Sequence, residues 1–257
     1  MKFVRHIPAQ LLAQFVDLLW LCQRDSLPHA KELALPTGTV ELVFDVREGN
    51  DNPVICGPHS RSFVIGTAKP VSLLGIHFKP GGAFPFLGLP AGELHNEQVS
   101  LENIWGNKAA DLQNQLMEAR TPAEKFRVLE QALIANAGQG LQRHPAVRFA
   151  LDRFQLDTGA SISSVVEETG LTARRFIQLF QDEVGLTPKL YRRIHRFQHV
   201  LNLVHRSERV DWCHVALDCG YYDQAHCIHD FREFSGLSPT AYLRMRSEHL
   251  NHVPLWD

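Results

Sequence analysis

Apolar positions in residues 35–80 follow the period of a strand. Val40, Leu42, Phe44 and Val46 alternate, as on a half-buried strand. Val54–Cys56 and Phe63–Ile65 are short apolar runs bounded by Gly, Pro and Ser. Val71–Phe78 is apolar on both faces and stops at Pro80-Gly81-Gly82. On either side the spacing lengthens to three and four, predicting helices at 9–22, 107–119 and 122–137. Phe126, Leu129 and Leu133 share one face of the last. Ala137-Gly-Gln-Gly140 breaks the pattern, and helical spacing then runs to about residue 247. Strands followed by a run of helices predict an α+β protein of two domains. Residues 1–136 form a β-rich domain with flanking helices. Residues 137–143 form a linker, and 144–250 an all-α domain.

The helical half repeats itself. Phe180, Gly185, Leu186, Thr187, Pro188 and Tyr191 recur as Phe231, Gly236, Leu237, Ser238, Pro239 and Tyr242, each at an offset of 51 residues. Ahead of each copy stands a helix, a glycine-containing turn and a second helix. In the first, Ser161 opens a helix with Ile162, Val165 and Val166 inward, Gly170 breaks it, and Thr172 caps the next. In the second, Trp212–Cys219 is the first helix, Gly220 the turn and Asp223 the cap. Phe176, Leu179, Phe180 and Glu183 face inward in one copy, and Cys227, Phe231 and Phe234 in the other.

The second helix of such a unit reads base edges in the major groove. Arg174, Gln178 and Gln181 form an outward stripe with Arg175 beside them, and Ala225, His226 and His229 are the equivalents, joined by Gln224. Arg suits guanine and Gln suits adenine by paired hydrogen bonds. Ile177 and Ile228 occupy equivalent flanking positions and are expected to pack against the intervening helix. That helix begins at Pro188 and puts Leu190, Ile194, Phe197, Leu201 and Val204 on one side. Arg192, Arg193, Arg196 and His199 lie opposite or beside them. With Thr172 and Arg232, the three arginines are the candidate phosphate contacts.

Composition narrows the partners. A charged fraction of 21% and an apolar fraction of 44% fit an ordinary globular protein. Net charge is −2, and Lys and Arg nearly balance Asp and Glu over residues 141–250, so DNA binding rests on where the charges sit. No apolar run is long enough to span a membrane and no signal segment is present, so a cytoplasmic protein without a membrane partner is expected. Five scattered cysteines fit free thiols.

The residues of the C-terminal half resemble the DNA-binding domain of the AraC/XylS family of bacterial transcription regulators over about 144–246. The shared pattern is Val215-Ala216-x-x-Cys219-Gly220-Tyr221-x-Asp223-Gln224 through Phe231-Arg232-x-x-x-Gly236-Leu-Ser-Pro239-x-x-Tyr242, with Tyr191-x4-Arg196-Phe197 ahead of it. The resemblance implies two helix-turn-helix units joined by a long helix, double-stranded DNA and RNA polymerase as partners, and no enzyme activity. Gln178 and His229 stand where the family usually has Arg, and Cys227 where it has an aromatic ring. Asp230 takes the place of Leu179 in the first unit. With His226 and His229 on the second reading helix, binding is expected to strengthen below about pH 6.5. More weakly, Pro36–Phe44 and Gly75–Ala83 resemble an N-terminal domain found on some of these regulators. There Glu41, Phe44 and His77 are candidate small-molecule effector contacts, and helices 107–119 and 122–137 a candidate homodimer surface.

Two rival readings use the same residues. Glu41 and His77 have the chemistry of an acid/base pair, which would make the N-terminal domain a small-molecule-processing enzyme fused to a helix-turn-helix module for protein interaction. No nucleotide, phosphate or nucleophile-elbow motif supports this, and no cofactor is expected. His195 with His199, or Cys56, His59 and His77, have metal-ligand chemistry but no completing partner at ligand spacing, so no metal is expected.

Overall fold

The computed structural model describes residues 2–47, 53–137, 141–157, 159–205, 207 and 209–256. The N-terminal region is built on β1 (Lys2–His6), β2 (Val16–Arg24), β3 (Lys31–Ala34), β4 (Glu41–Asp45), β5 (Val54–Cys56), β6 (Phe63–Gly66) and β7 (Val71–Phe78). Next come α1 (Phe84–Leu87), a 3-10 turn at Ala91–Leu94, β8 (Gln98–Ser100), α2 (Glu102–Trp105), α3 (Asn107–Glu118) and α4 (Pro122–Asn136). The larger sheet has the order β1-β2-β7-β4-β5-β8; a smaller one has β6-β3-β9. The passages from β2 to β3, β3 to β4, β5 to β6 and β6 to β7 each change sheet.

The alternation read in the sequence sets the core. Leu42 and Phe44 of β4 and Leu74, Ile76 and Phe78 of β7 are buried with Leu112 and Leu116 of α3 and Phe126, Leu129 and Leu133 of α4. The opposite face of this sheet is more open. There Trp20 lies flat over Gly75, where a β-carbon would come within 2.3 Å of the indole ring.

Residues 9–22 are not helical. Turns occupy 10–15, and β2 begins at Val16 between β1 and β7. A bulge between Val16 and Leu18 turns Val16, Leu19 and Leu21 all to the core. It sets Val16 and Leu19 three residues apart, a helical spacing produced by a strand.

The C-terminal region is α5 (Pro145–Leu156), α6 (Ile162–Thr169), α7 (Ala173–Val184), α8 (Pro188–His205), α9 (Trp212–Asp218), α10 (Gln224–Ser235) and α11 (Pro239–Met245). Its core is separate, centred on Phe154, Phe176, Phe180, Phe197, Phe231 and Phe234. Of the expected linker, 138–140 lie outside the described residues.

Helical spacing stops at α11, but the chain continues into β9 (His252–Leu255), which pairs antiparallel with β3 of the N-terminal region. Pro254 is tolerated because β9 is an edge strand. His252 and His29 hydrogen-bond the two oxygens of Glu32 at 3.2 and 2.9 Å. Burial alone would raise the Glu32 carboxyl, but these bonds outweigh it and hold it at about 2. Val253 is buried beside Leu33 and Leu35 in the C-terminal core, so the tail ties the two regions together. Val253→Ala should lower stability by about 2 kcal/mol, read from the shift of the urea unfolding midpoint at unchanged slope.

Candidate nucleic-acid interface

Local capping chemistry fixes both units. In the first, Ser161 Oγ accepts from Ser164 N (3.0 Å), Gly170 takes φ +68, and Thr172 Oγ1 accepts from Arg175 N (3.3 Å). In the second, Asp211 accepts from Cys213 N (2.9 Å), Gly220 takes φ +73, and Asp223 accepts from His226 N (2.7 Å). Each cap satisfies N–H groups that a helix start leaves open. Phe176 and Phe180 anchor α7 inward; Cys227, Phe231 and Phe234 anchor α10.

The anchoring determines what faces out. On α7, Arg174, Arg175 and Gln178 are exposed, and Gln178 Nε2 donates to Asp182 at 2.8 Å. On α10, Ala225, His226 and His229 are exposed, while half-buried Gln224 accepts a contact from Cys213 Sγ at 3.3 Å. Gln181 is half-buried, its carbonyl beside Gly92, so it stands at the edge of the reading surface. Ile177 departs from expectation: it is 38% exposed instead of packed.

Both reading helices rest their C-terminal ends on the loop between β5 and β6. Gly185, which ends α7 at φ +83, is so close to Pro58 and Ala91 that a β-carbon would meet them at 2.5 and 2.9 Å. At the end of α10, the Phe234 carbonyl accepts from Ser62 N (3.0 Å) and the Ser235 carbonyl from Ser62 Oγ (3.2 Å). One loop therefore touches both units while their N-terminal halves stay open.

The expected basic cluster on α8 is largely engaged within the domain. Arg193 donates to Asp230 Oδ1 at 2.7 and 3.2 Å and to Glu233 at 3.1 Å. Arg196 is mostly buried, 4.8 Å over the Tyr221 ring and 3.7 Å from Asp230. Arg192 lies 5.4 Å over the Phe154 ring. Arg193 and Arg196, two of the five candidate phosphate contacts, thus turn inward. The cause is Asp230, a carboxylate with 1% exposure that needs cationic partners. Arg232 and Thr172 remain exposed, and His229 Nδ1 lies 3.7 and 3.8 Å from Asp230 and Glu233.

In the N-terminal region, Glu41 and His77 are register partners across β4 and β7, joined by a 2.6 Å hydrogen bond, with Thr39 at 3.4 Å. Burial opposes both charges, yet the shared bond dominates: it lowers the Glu41 carboxyl and raises the His77 imidazole. Phe44 does not join them; it is fully buried on the helix-covered face. Alternation along β4 puts residues 41 and 44 on opposite faces. Cys56 pairs with Glu41 in register, and its thiol is raised to about 12 by burial. The next residues, 57–62, are the loop under the reading helices.

Among the described residues, one group of three metal-ligating side chains converges, with ligand atoms within 4.8 Å: His229, Asp230 and Glu233. Its carboxylates already hold Arg193. Neither His195 with His199 nor Cys56, His59 and His77 forms such a group. No helix among the described residues is long and apolar enough to cross a membrane.

Comparison with known proteins matches two stretches of the chain. Residues 165–245 match the family described as a helix-turn-helix domain, and residues 4–100 match a domain of unknown function. No curated protein is similar in sequence. Among solved structures, ToxT from Vibrio cholerae is 10% identical at a TM-score of 0.43, with 96% of this chain and 98% of that chain covered. A form of ToxT bound to an unsaturated fatty acid gives 10% identity, coverages of 92% and 94%, and a TM-score of 0.44. The xylose-binding transcription activator XylR is 17% identical over 60% of this chain and 41% of that chain, at a TM-score of 0.36. Likenesses this distant transfer no residue's role.

Proposed function

From the premise that residues 165–245 are an AraC-type helix-turn-helix domain, we propose that the chain is a transcription regulator whose α7 and α10 read two unlike half-sites in double-stranded DNA. The shared pose of the two helices carries this reading: readers exposed at the N-terminal halves, C-terminal ends seated on residues 57–62. Arg174, Arg175 and Gln178 have the chemistry for base edges on α7. Ala225, His226 and His229 present a different surface on α10, so the operator is asymmetric. With Arg193 and Arg196 engaged inside the domain, the exposed candidates for phosphate contact are Thr172 and Arg232.

Selection from a random duplex pool by the purified full chain tests this. The expected product is an asymmetric sequence whose affinity falls steeply with salt. Arg174→Ala should cost about 1–3 kcal/mol and relax preference at one position. Recovery of unselected sequences with affinity flat in salt would overturn the proposal.

The N-terminal region has the means to respond to a small molecule. Glu41 and His77 sit on the open face of the large sheet, and β5 leads from Cys56 straight into the loop under both reading helices. A ligand that drew Glu41 from His77 would act on the strand feeding that loop. It would alter DNA affinity only if it binds the two states unequally.

A further inference from the structure

We propose that Ile177 and Ile228 are specificity-determining residues, each taking the 5-methyl group of a thymine in its own half-site. This rests on the DNA-reading role proposed above. The two isoleucines are 51 residues apart, at the same position of the repeated unit. Each lies three residues after one outward position and four before another: Ile177 between Arg174 and Gln181, Ile228 between Ala225 and Arg232. That spacing places them on the outward stripe of their helices.

The domain core does not need them. Phe176 and Phe180 fill the space behind α7, and Phe231 with Cys227 that behind α10. Ile177 therefore keeps 38% of its surface in water although large β-branched side chains usually go inside. Ile228 is half-buried and, with Ala225, His229, Arg232 and Glu233, lines an open depression of about 640 Å³ on α10.

An apolar side chain among polar readers needs an apolar counterpart. In the major groove the largest is the thymine methyl; the other features that distinguish the base pairs there are hydrogen-bond donors and acceptors. The second unit leans on this contact more heavily. Ala225 stands where the first unit has Arg174, so Ile228 and Ala225 form a continuous apolar strip.

The test uses the full chain and the duplex it selects. Each thymine is replaced in turn by deoxyuridine, which lacks only the methyl, and affinity is measured for the wild type, Ile177→Ala and Ile228→Ala. One thymine in each half-site should show a roughly fourfold loss with the wild type, the effect of leaving one methyl-sized apolar contact in water. Ile177→Ala should abolish that loss in the α7 half-site alone, and Ile228→Ala in the α10 half-site alone. The two sensitive thymines should lie about one helical turn apart. Sequence-selective binding indifferent to every thymine methyl, or a methyl effect that survives both substitutions, overturns this inference and leaves the DNA-reading role standing. Absence of any selected sequence overturns both.

Discussion

Replacing Arg193 with methionine should cost about 3 kcal/mol of stability. Asp230 is almost wholly enclosed between α8 and α10, and its Oδ1 takes two hydrogen bonds from Arg193. Removing the guanidinium leaves a buried carboxylate with Arg196 and His229, each 3.7 Å away, and with Oδ2 already lacking a hydrogen-bond partner. Asp230→Leu should behave differently, staying within about 1 kcal/mol of the wild type. It removes the buried charge and installs the residue that the first unit carries at the equivalent position, Leu179. Arg193 then keeps Glu233 as its partner. Urea unfolding of the two variants separates a clamp from a packing effect. Equal losses, or an Arg193→Met loss below about 1 kcal/mol, would refute the clamp.

Glu183→Gln should stabilise the protein by about 3 kcal/mol at pH 8 and by less than about 1 kcal/mol at pH 5. Glu183 is buried on α7, and this desolvation raises its carboxyl from 4.5 to about 7 despite a bond from His144 N and the nearby Arg143 charge. The folded state therefore binds the proton more tightly than the unfolded chain. Stability from this group is greatest below pH 4.5 and falls as pH rises to 7, where the carboxylate must ionise in place. Each unit of that difference is worth about 1.4 kcal/mol, so the full effect is about 3 kcal/mol, with the Arg143 attraction already included in the raised value. Glutamine keeps the acceptor for His144 N and does not titrate. Unfolding free energies at pH 5, 6, 7 and 8 check this: the wild type should lose stability across the series relative to Glu183→Gln. Parallel curves would show that Glu183 ionises normally.

The sites were legible to different depths. Helix caps and turns are local chemistry, so Ser161, Gly170, Thr172 and Asp223 could be placed from their neighbours in the chain. Periodicity likewise turned Arg174, Arg175, Gln178, Ala225, His226 and His229 outward. It failed at Arg193 and Arg196, because a helical stripe shows which residues share a side and not what stands opposite. Asp230 comes from another helix, 37 residues after Arg193. The difference between Asp230 and Leu179 was the available signal. In the N-terminal region, alternation along β4 was enough to separate Phe44 from Glu41, and the pairing of Glu41 with His77 followed from sheet register.

The sequence by itself determined the two-region division, the repeated helix-turn-helix framework and the caps that bound its helices, because these depend on residues a few positions apart. Only the tertiary structure decided that 9–22 is a turn and a bulged strand, that β9 returns to pair with β3, and that residues 57–62 meet the ends of both reading helices. Each of these pits a local preference against partners distant in the chain. A strand between two others gains hydrogen bonds and burial along its whole length, and that outweighs a helical spacing written in a few apolar residues.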